Sequence, residues 1–169
     1  MKILFLGDVV GISGCSKILN NLRAEIDKKK IDFVIINGEN SAEPGVGLTE
    51  KTCKDFFNCG VNVITTGNHV WDQKEIMNYI DKENRLLRPY NLFEPSPGKG
   101  FEIYKTSKNI NIAVLNLMGN VFMKKCEDVF EISKTFLKDH ALKEDYDLLI
   151  VDFHGEITSE KNAIGHYFD

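Results

Sequence analysis

Short apolar, β-branched runs recur at residues 3–6, 33–36, 61–65, 110–117 and 148–153, each bounded by Gly, Asn or Asp. Runs of this length without polar alternation predict strands, several of them buried on both faces. Between them the apolar positions change to helical spacing. Ile18, Leu19, Leu22 and Ile26 form one stripe ahead of Lys28, Lys29 and Lys30, a cationic end that suits the helix dipole. A second helix is predicted from about Thr49, burying Cys53, Phe56 and Phe57 and stopping at Gly60. A third begins at Asp72, with Glu75 as the other half of a capping box, and runs to about Asp81. A fourth covers roughly 127–139, with Val129, Phe136 and Leu137 at apolar positions. The Pro-containing stretch 89–100 predicts an ordered loop or lid, which feeds a hairpin of 101–106 and 110–117 turning at Ser107, Lys108 and Asn109. Strands alternating with helices imply one α/β domain over 1–169, with a largely parallel central sheet.

Composition narrows the function more than the fold. With 43% hydrophobic and 27% charged residues among 169, the chain has the balance of an ordered globular protein. Its 21 basic and 25 acidic residues leave a net charge of −4, which excludes a strong positive field for duplex nucleic acid. A small nucleotide held through a metal is still allowed, and so is a homo-oligomer. Cys15, Cys53, Cys59 and Cys126 are scattered and form no C-x-x-C pair, as reduced thiols in a cytoplasmic protein would be. The apolar run after Met1 is too short for a signal peptide, and no segment approaches the ~20 apolar residues of a membrane span.

In open α/β sheets ligands collect at the carboxyl ends of the strands, and here those ends are unusually polar. The first predicted strand runs into Gly7-Asp8, the second into Gly38-Glu39-Asn40, the third into Gly67-Asn68-His69, and the last into Asp152-Phe153-His154-Gly155. Any one of these residues could simply cap a turn. Asp8, Glu39, Asn40, Asn68, His69 and His154, most of them beside glycines, have no obvious packing purpose together. Mixed oxygen and imidazole donors suit Mn, Fe or Zn, and a carboxylate such as Glu39 can bridge two ions. Gly7, Gly11 and Gly14 invite a nucleotide-loop reading, but their spacing matches neither the dinucleotide fingerprint nor a P-loop. A receiver-type or flavodoxin-like domain would use Asp8 and leave Glu39, Asn40, Asn68, His69 and His154 unexplained.

The blocks GDVVG at 7–11, NGEN at 37–40, TTGNHVWD at 65–72 and VDFHGEITSEKNAIG at 151–165 resemble the YmdB-like branch of the calcineurin-like metallophosphoesterases. The resemblance runs in order over the whole chain. It implies a four-layer α/β/β/α sandwich with two metal ions, Fe or Mn foremost and Zn or Mg allowed, and a bacterial phosphodiesterase acting on 2′,3′- or 3′,5′-cyclic nucleotides. Position by position, it implies Asp8 as a ligand of one metal, Glu39 as the shared ligand, and Asn68 and His154 as ligands of the other. Asn40 is implied as a ligand or phosphate contact, and His69 as the general acid or charge-stabilising group while metal-activated hydroxide attacks phosphorus. The family pattern continues into a Gly-x-His-x-His block that the chain, ending at Asp169, does not reach, and His166 does not stand in for it. The expectation is therefore a C-terminally incomplete domain. A metal- or nucleotide-binding regulatory module with little turnover is the rival reading.

Overall fold

Six strands and five α-helices interleave along the computed structural model, which describes residues 1–169. The strands β1 (Ile3–Leu6), β2 (Phe33–Asn37) and β3 (Val63–Thr65) make one parallel sheet in that order. β4 (Phe101–Lys105), β5 (Asn111–Met118) and β6 (Leu148–His154) make another, antiparallel across β4–β5 and parallel across β5–β6. The expected largely parallel central sheet is thus corrected to two three-stranded sheets, one of them mixed. The reason lies in what covers β2. All five of its residues are buried, and Phe33 and Ile35, with Val63, pack against Ile112 and Val114 of the second sheet. One sheet covers the other where the sequence pattern implies a helix, so apolar faces alternate between sheet and helix partners.

The outer faces are covered by helices. On the first sheet, α1 (Gly11–Lys29) and α2 (Glu50–Asn58) close a cluster built on Val34, Ile36 and Ile64, into which Leu22, Cys53 and Phe56 insert. On the second, α4 (Val129–Asp139) and α5 (Thr158–Phe168) bury Val129, Phe136 and Ile164 against Leu115 and Leu117. Leu19 and Leu137, expected on the apolar stripes, are exposed at the rims. The α2 helix starts where expected, and Thr49 caps it, its Oγ1 accepting from the Thr52 N–H at 3.1 Å. Gly60 follows at φ +111°, where a side chain would also collide with Ile26. No helix is long and apolar enough to cross a membrane.

The third helix departs most from expectation. Regular α structure is confined to α3 (Ile76–Tyr79), followed by a 3-10 turn at Ile80–Lys82. The capping box does not form because both its side chains are engaged elsewhere. Asp72 turns to His69 and Lys124, and Glu75 accepts the Glu50 N–H at 2.9 Å. The 89–100 stretch is an ordered loop, as expected. The buried Arg88 guanidinium holds it by donating to Glu94 Oε1 at 2.7 Å and to the carbonyls of Pro89 and Pro97.

Candidate functional site

The carboxyl ends of β1, β2, β3 and β6 meet at one edge of the molecule, and the connections leaving them are fastened together. The Val9 N–H donates to Asn37 O at 3.0 Å and the Gly11 N–H to Asn40 O at 2.8 Å, which lays the loop carrying Asp8 against the loop carrying Glu39 and Asn40. The Gly38 N–H donates to Thr65 O at 3.0 Å and draws the loop after β3 alongside. Glycine is required at Gly67: a Cβ there would overlap Glu39 Oε2 and the His154 ring, so the missing side chain is what lets those two groups approach.

Five of the six expected side chains form one hydrogen-bonded cluster. Asn40 Nδ2 donates to Asp8 at 3.1 and 3.2 Å and to Glu39 Oε1 at 3.1 Å. His154 Nε2 lies 2.8 Å from Asn68 Oδ1 and 3.2 Å from Glu39 Oε1. Glu39 is central to both groups and is only 1% exposed. Burial pushes its carboxyl upward from the usual range, opposed by the nearby His154 and by the His69 N–H, which donates to Oε2 at 3.4 Å. Asp8, by contrast, is open to solvent. His69 adds its backbone to the cluster, and its ring reaches Asp72, with Nδ1 at 2.6 Å from Oδ2. That bond holds the Asp72 carboxyl below its ordinary value and leaves the far ring nitrogen for other work.

Behind the cluster lies a polar belt that sequence reasoning missed. Asn37 Nδ2 donates to Asp152 Oδ2 at 2.9 Å, the Thr66 N–H donates to Asn116 Oδ1 at 2.9 Å, and Asn116 Nδ2 donates to Asp152 O at 3.3 Å. These contacts tie the end of the first sheet to the end of the second and set His154, two residues past Asp152, against Glu39. Burial pushes the Asp152 carboxyl upward. Lys124 was also missed; its ammonium donates to Asn68 O at 2.7 Å and reaches Asp72 Oδ1 at 3.4 Å. The available signal was Asn37 within the NGEN block and Asp152 two residues before His154. Nothing in the pattern around Asn116 or Lys124 distinguished them from ordinary strand and loop residues.

The donor set suits a divalent cation. Four oxygen-bearing side chains (Asp8, Glu39, Asn40 and Asn68) converge with one imidazole, His154 Nε2 faces both Asn68 Oδ1 and Glu39 Oε1, and the buried Asn40 Oδ1 has no partner. Turning the Asn40 amide would aim that oxygen at the carboxylates, an orientation that a cation between them would favour. No three His, Cys, Asp or Glu side chains converge as an ion cage by themselves. The amides of Asn40 and Asn68 are therefore needed to complete any shell.

The chain is similar over its whole length to known proteins. The chain is 42% identical over 169 residues to the 2′,3′-cyclic-nucleotide 2′-phosphodiesterase of Bacillus subtilis (strain 168), covering 100% of itself and 62% of that protein. The crystal structure of a novel phosphatase of Mycoplasma pneumoniae superposes with a TM-score of 0.88 at 38% identity, covering all of this chain and 60% of the other. A hypothetical protein of Thermus thermophilus superposes with a TM-score of 0.89 at 34% identity, again over 100% of this chain and 64% of the other. The chain thus spans about three fifths of the length of the relatives it matches. With the profile of the YmdB-like protein family matching residues 4–169, the same four strand ends included, the chain belongs to that family.

Proposed function

We propose that this chain carries the larger part of a metal-dependent phosphodiesterase site acting on cyclic nucleotides, 2′,3′-cyclic species foremost and 3′,5′-cyclic ones included. The observation that carries this reading is the convergence of Asp8, Glu39, Asn40, Asn68 and His154 at one sheet edge, with Asn40 Oδ1 buried and unpartnered. The naming of the Bacillus subtilis relative supports the substrate class. The two sheets, covered on their outer faces by helices, support placing the fold among calcineurin-like four-layer sandwiches. Four free cysteines agree with a reducing, cytoplasmic setting.

Asp8 would hold one ion, Glu39 would serve both, and Asn68 and His154 would hold the second, with Asn40 at the first ion or at a phosphate oxygen. When bound, the ions, for which mixed oxygen and imidazole donors suit Fe, Mn or Zn, would supply a nucleophile from water at neutral pH and polarise the phosphoryl group. The protein's own part is positional. The polar belt fixes the donors, Asp72 holds Nδ1 of His69, and the opposite ring nitrogen is free to give a proton to the leaving oxygen or to stabilise charge on the phosphoryl oxygens. A binding module with little turnover is favoured by one observation, the dependence of the shell on two neutral amides. Mn²⁺ titration by calorimetry, with turnover of 2′,3′-cAMP and bis-p-nitrophenyl phosphate, separates the readings. Saturable ion binding with metal-dependent hydrolysis supports the enzyme, ion binding without hydrolysis supports the module, and the absence of both overturns the two together.

A further inference from the structure

The segment after β5 crosses the same edge and is tied at both ends to residues of the cluster. The Gly119 N–H donates to His154 O at 2.8 Å, and Lys124 Nζ donates to Asn68 O at 2.7 Å. The base of this loop is rigid: the Asn120 N–H donates to the buried Glu160 at 2.8 Å, and the Asn120 side chain bonds both the Val129 N–H and Glu127 O. On this fixed base the tip presents Phe122, 85% exposed and in the left-handed region at φ +62°. A bulky residue there is uncommon and costs conformational energy, and such positions cluster at ligand clamps. Single exposed apolar residues are ordinary on protein surfaces. A phenyl ring that is the most exposed large apolar side chain of the chain, and sits two residues from the lysine touching Asn68 and Asp72, is not accounted for by packing.

We propose that Phe122 is the nucleobase platform of the site, stacking on the base of a nucleotide whose phosphate lies at the Asp8–Glu39–His154 cluster. This deepens the cyclic-nucleotide reading and rests on it. An aromatic face accepts any base, because every base has a π-face, so the platform selects nucleotides over base-free phosphate esters without choosing among bases. Lys124 acts as a positioning residue: by bonding both Asn68 O and Asp72 it keeps the tip in register with His69.

The test measures binding of adenosine 3′-monophosphate and of inorganic phosphate to the Mn²⁺-loaded chain by calorimetry, for the native chain, Phe122→Ala and Phe122→Trp. Circular dichroism first establishes that the variants fold. The expected result is that Phe122→Ala lowers the ratio of nucleotide to phosphate affinity by about tenfold, within the range of one lost base stack. Phe122→Trp should restore the ratio and show nucleotide-dependent fluorescence quenching beyond that of the native chain. An unchanged ratio, or equal losses for both ligands, overturns the platform. A native chain that hydrolyses glycerol 1,2-cyclic phosphate yet binds nucleotide no better than phosphate overturns the platform and leaves the phosphodiesterase reading intact. Failure to bind either ligand or to hydrolyse any cyclic phosphate overturns both.

Discussion

His69 is held from two sides, its N–H on Glu39 and its Nδ1 on Asp72, so its ring cannot drift without breaking a bond within the site. In the metal-supported reaction, His69→Ala should lower kcat by ~10²–10⁴-fold, the usual worth of a positioned acid. Metal content measured by elemental analysis should stay near the native value; if the ions leave with the activity, His69 is itself a ligand. Gly67→Ala predicts the opposite division. Its methyl group must displace Glu39 or His154, so divalent-ion affinity should drop, and the melting curve should register an overpacking cost of about 1–3 kcal/mol. Native ion affinity in that variant would show that the cleft under Gly67 has room to give. The cluster was legible because carboxylates, amides and imidazoles gathered directly after several strands share no packing purpose. The belt residue Asn116 was not, since one polar residue inside an apolar run reads as noise until its partners on other strands are known.

Among the elements, legibility followed the range of the interactions. The α2 start near Thr49 and its end at Gly60 were readable because both are fixed by local bonds, the Thr52 N–H to Thr49 Oγ1 and the Gly60 N–H to Phe57 O. The capping box at Asp72 misled because other partners took both carboxylates: His69, three residues back, with the distant Lys124 holds Asp72, and the distant Glu50 N–H holds Glu75. The α4 start shows a cap that does form: Asp128 accepts the Phe130 and Glu131 N–H groups at 2.9 and 3.0 Å. Asp128→Ala should cost about 0.5–2 kcal/mol, measured by urea denaturation, whereas Asp128→Asn should retain most of the cap. A loss beyond that range would mean Asp128 does more than cap. In the turn before Leu86, Arg85 grips Glu83 through two bonds, at 2.8 and 2.7 Å, which holds the Glu83 carboxyl below the ordinary glutamate range. A depressed carboxylate stabilises the fold above its unfolded pKa of about 4.3, and that contribution fades as pH falls through the lower folded value. Glu83→Gln should therefore lower stability modestly at pH 7, by no more than ~1 kcal/mol for a pair whose Arg85 end is open to solvent. The native and mutant curves should converge in acid; a gap that persists there would assign the loss to packing.

At the scale of the molecule, the open question is whether two three-stranded sheets behave as one cooperative structure. Neither sheet is large, and each reaches the other through a small apolar cluster and through the polar belt at the site edge. Asn116 is the belt's hub, fully buried, accepting the Thr66 N–H from one sheet and donating to Asp152 O in the other. Replacing it with Leu leaves the Thr66 N–H without its partner inside the protein, at a cost of about 1–3 kcal/mol, while adding apolar bulk where little space exists. Trp71, the sole tryptophan, packs on the helix-covered side of the first sheet and reports that layer alone, whereas far-ultraviolet dichroism reports helices from both. If the sheets unfold as one unit, the two signals should coincide in the native chain, and in Asn116→Leu they should shift together to lower denaturant. The same variant should lose ion affinity, because the belt sets His154 against Glu39. Separation of the fluorescence and dichroism transitions in the native chain would mean that each sheet folds with its own helices. Preserved ion affinity after the substitution would mean that the strand-end loops hold the site without the belt.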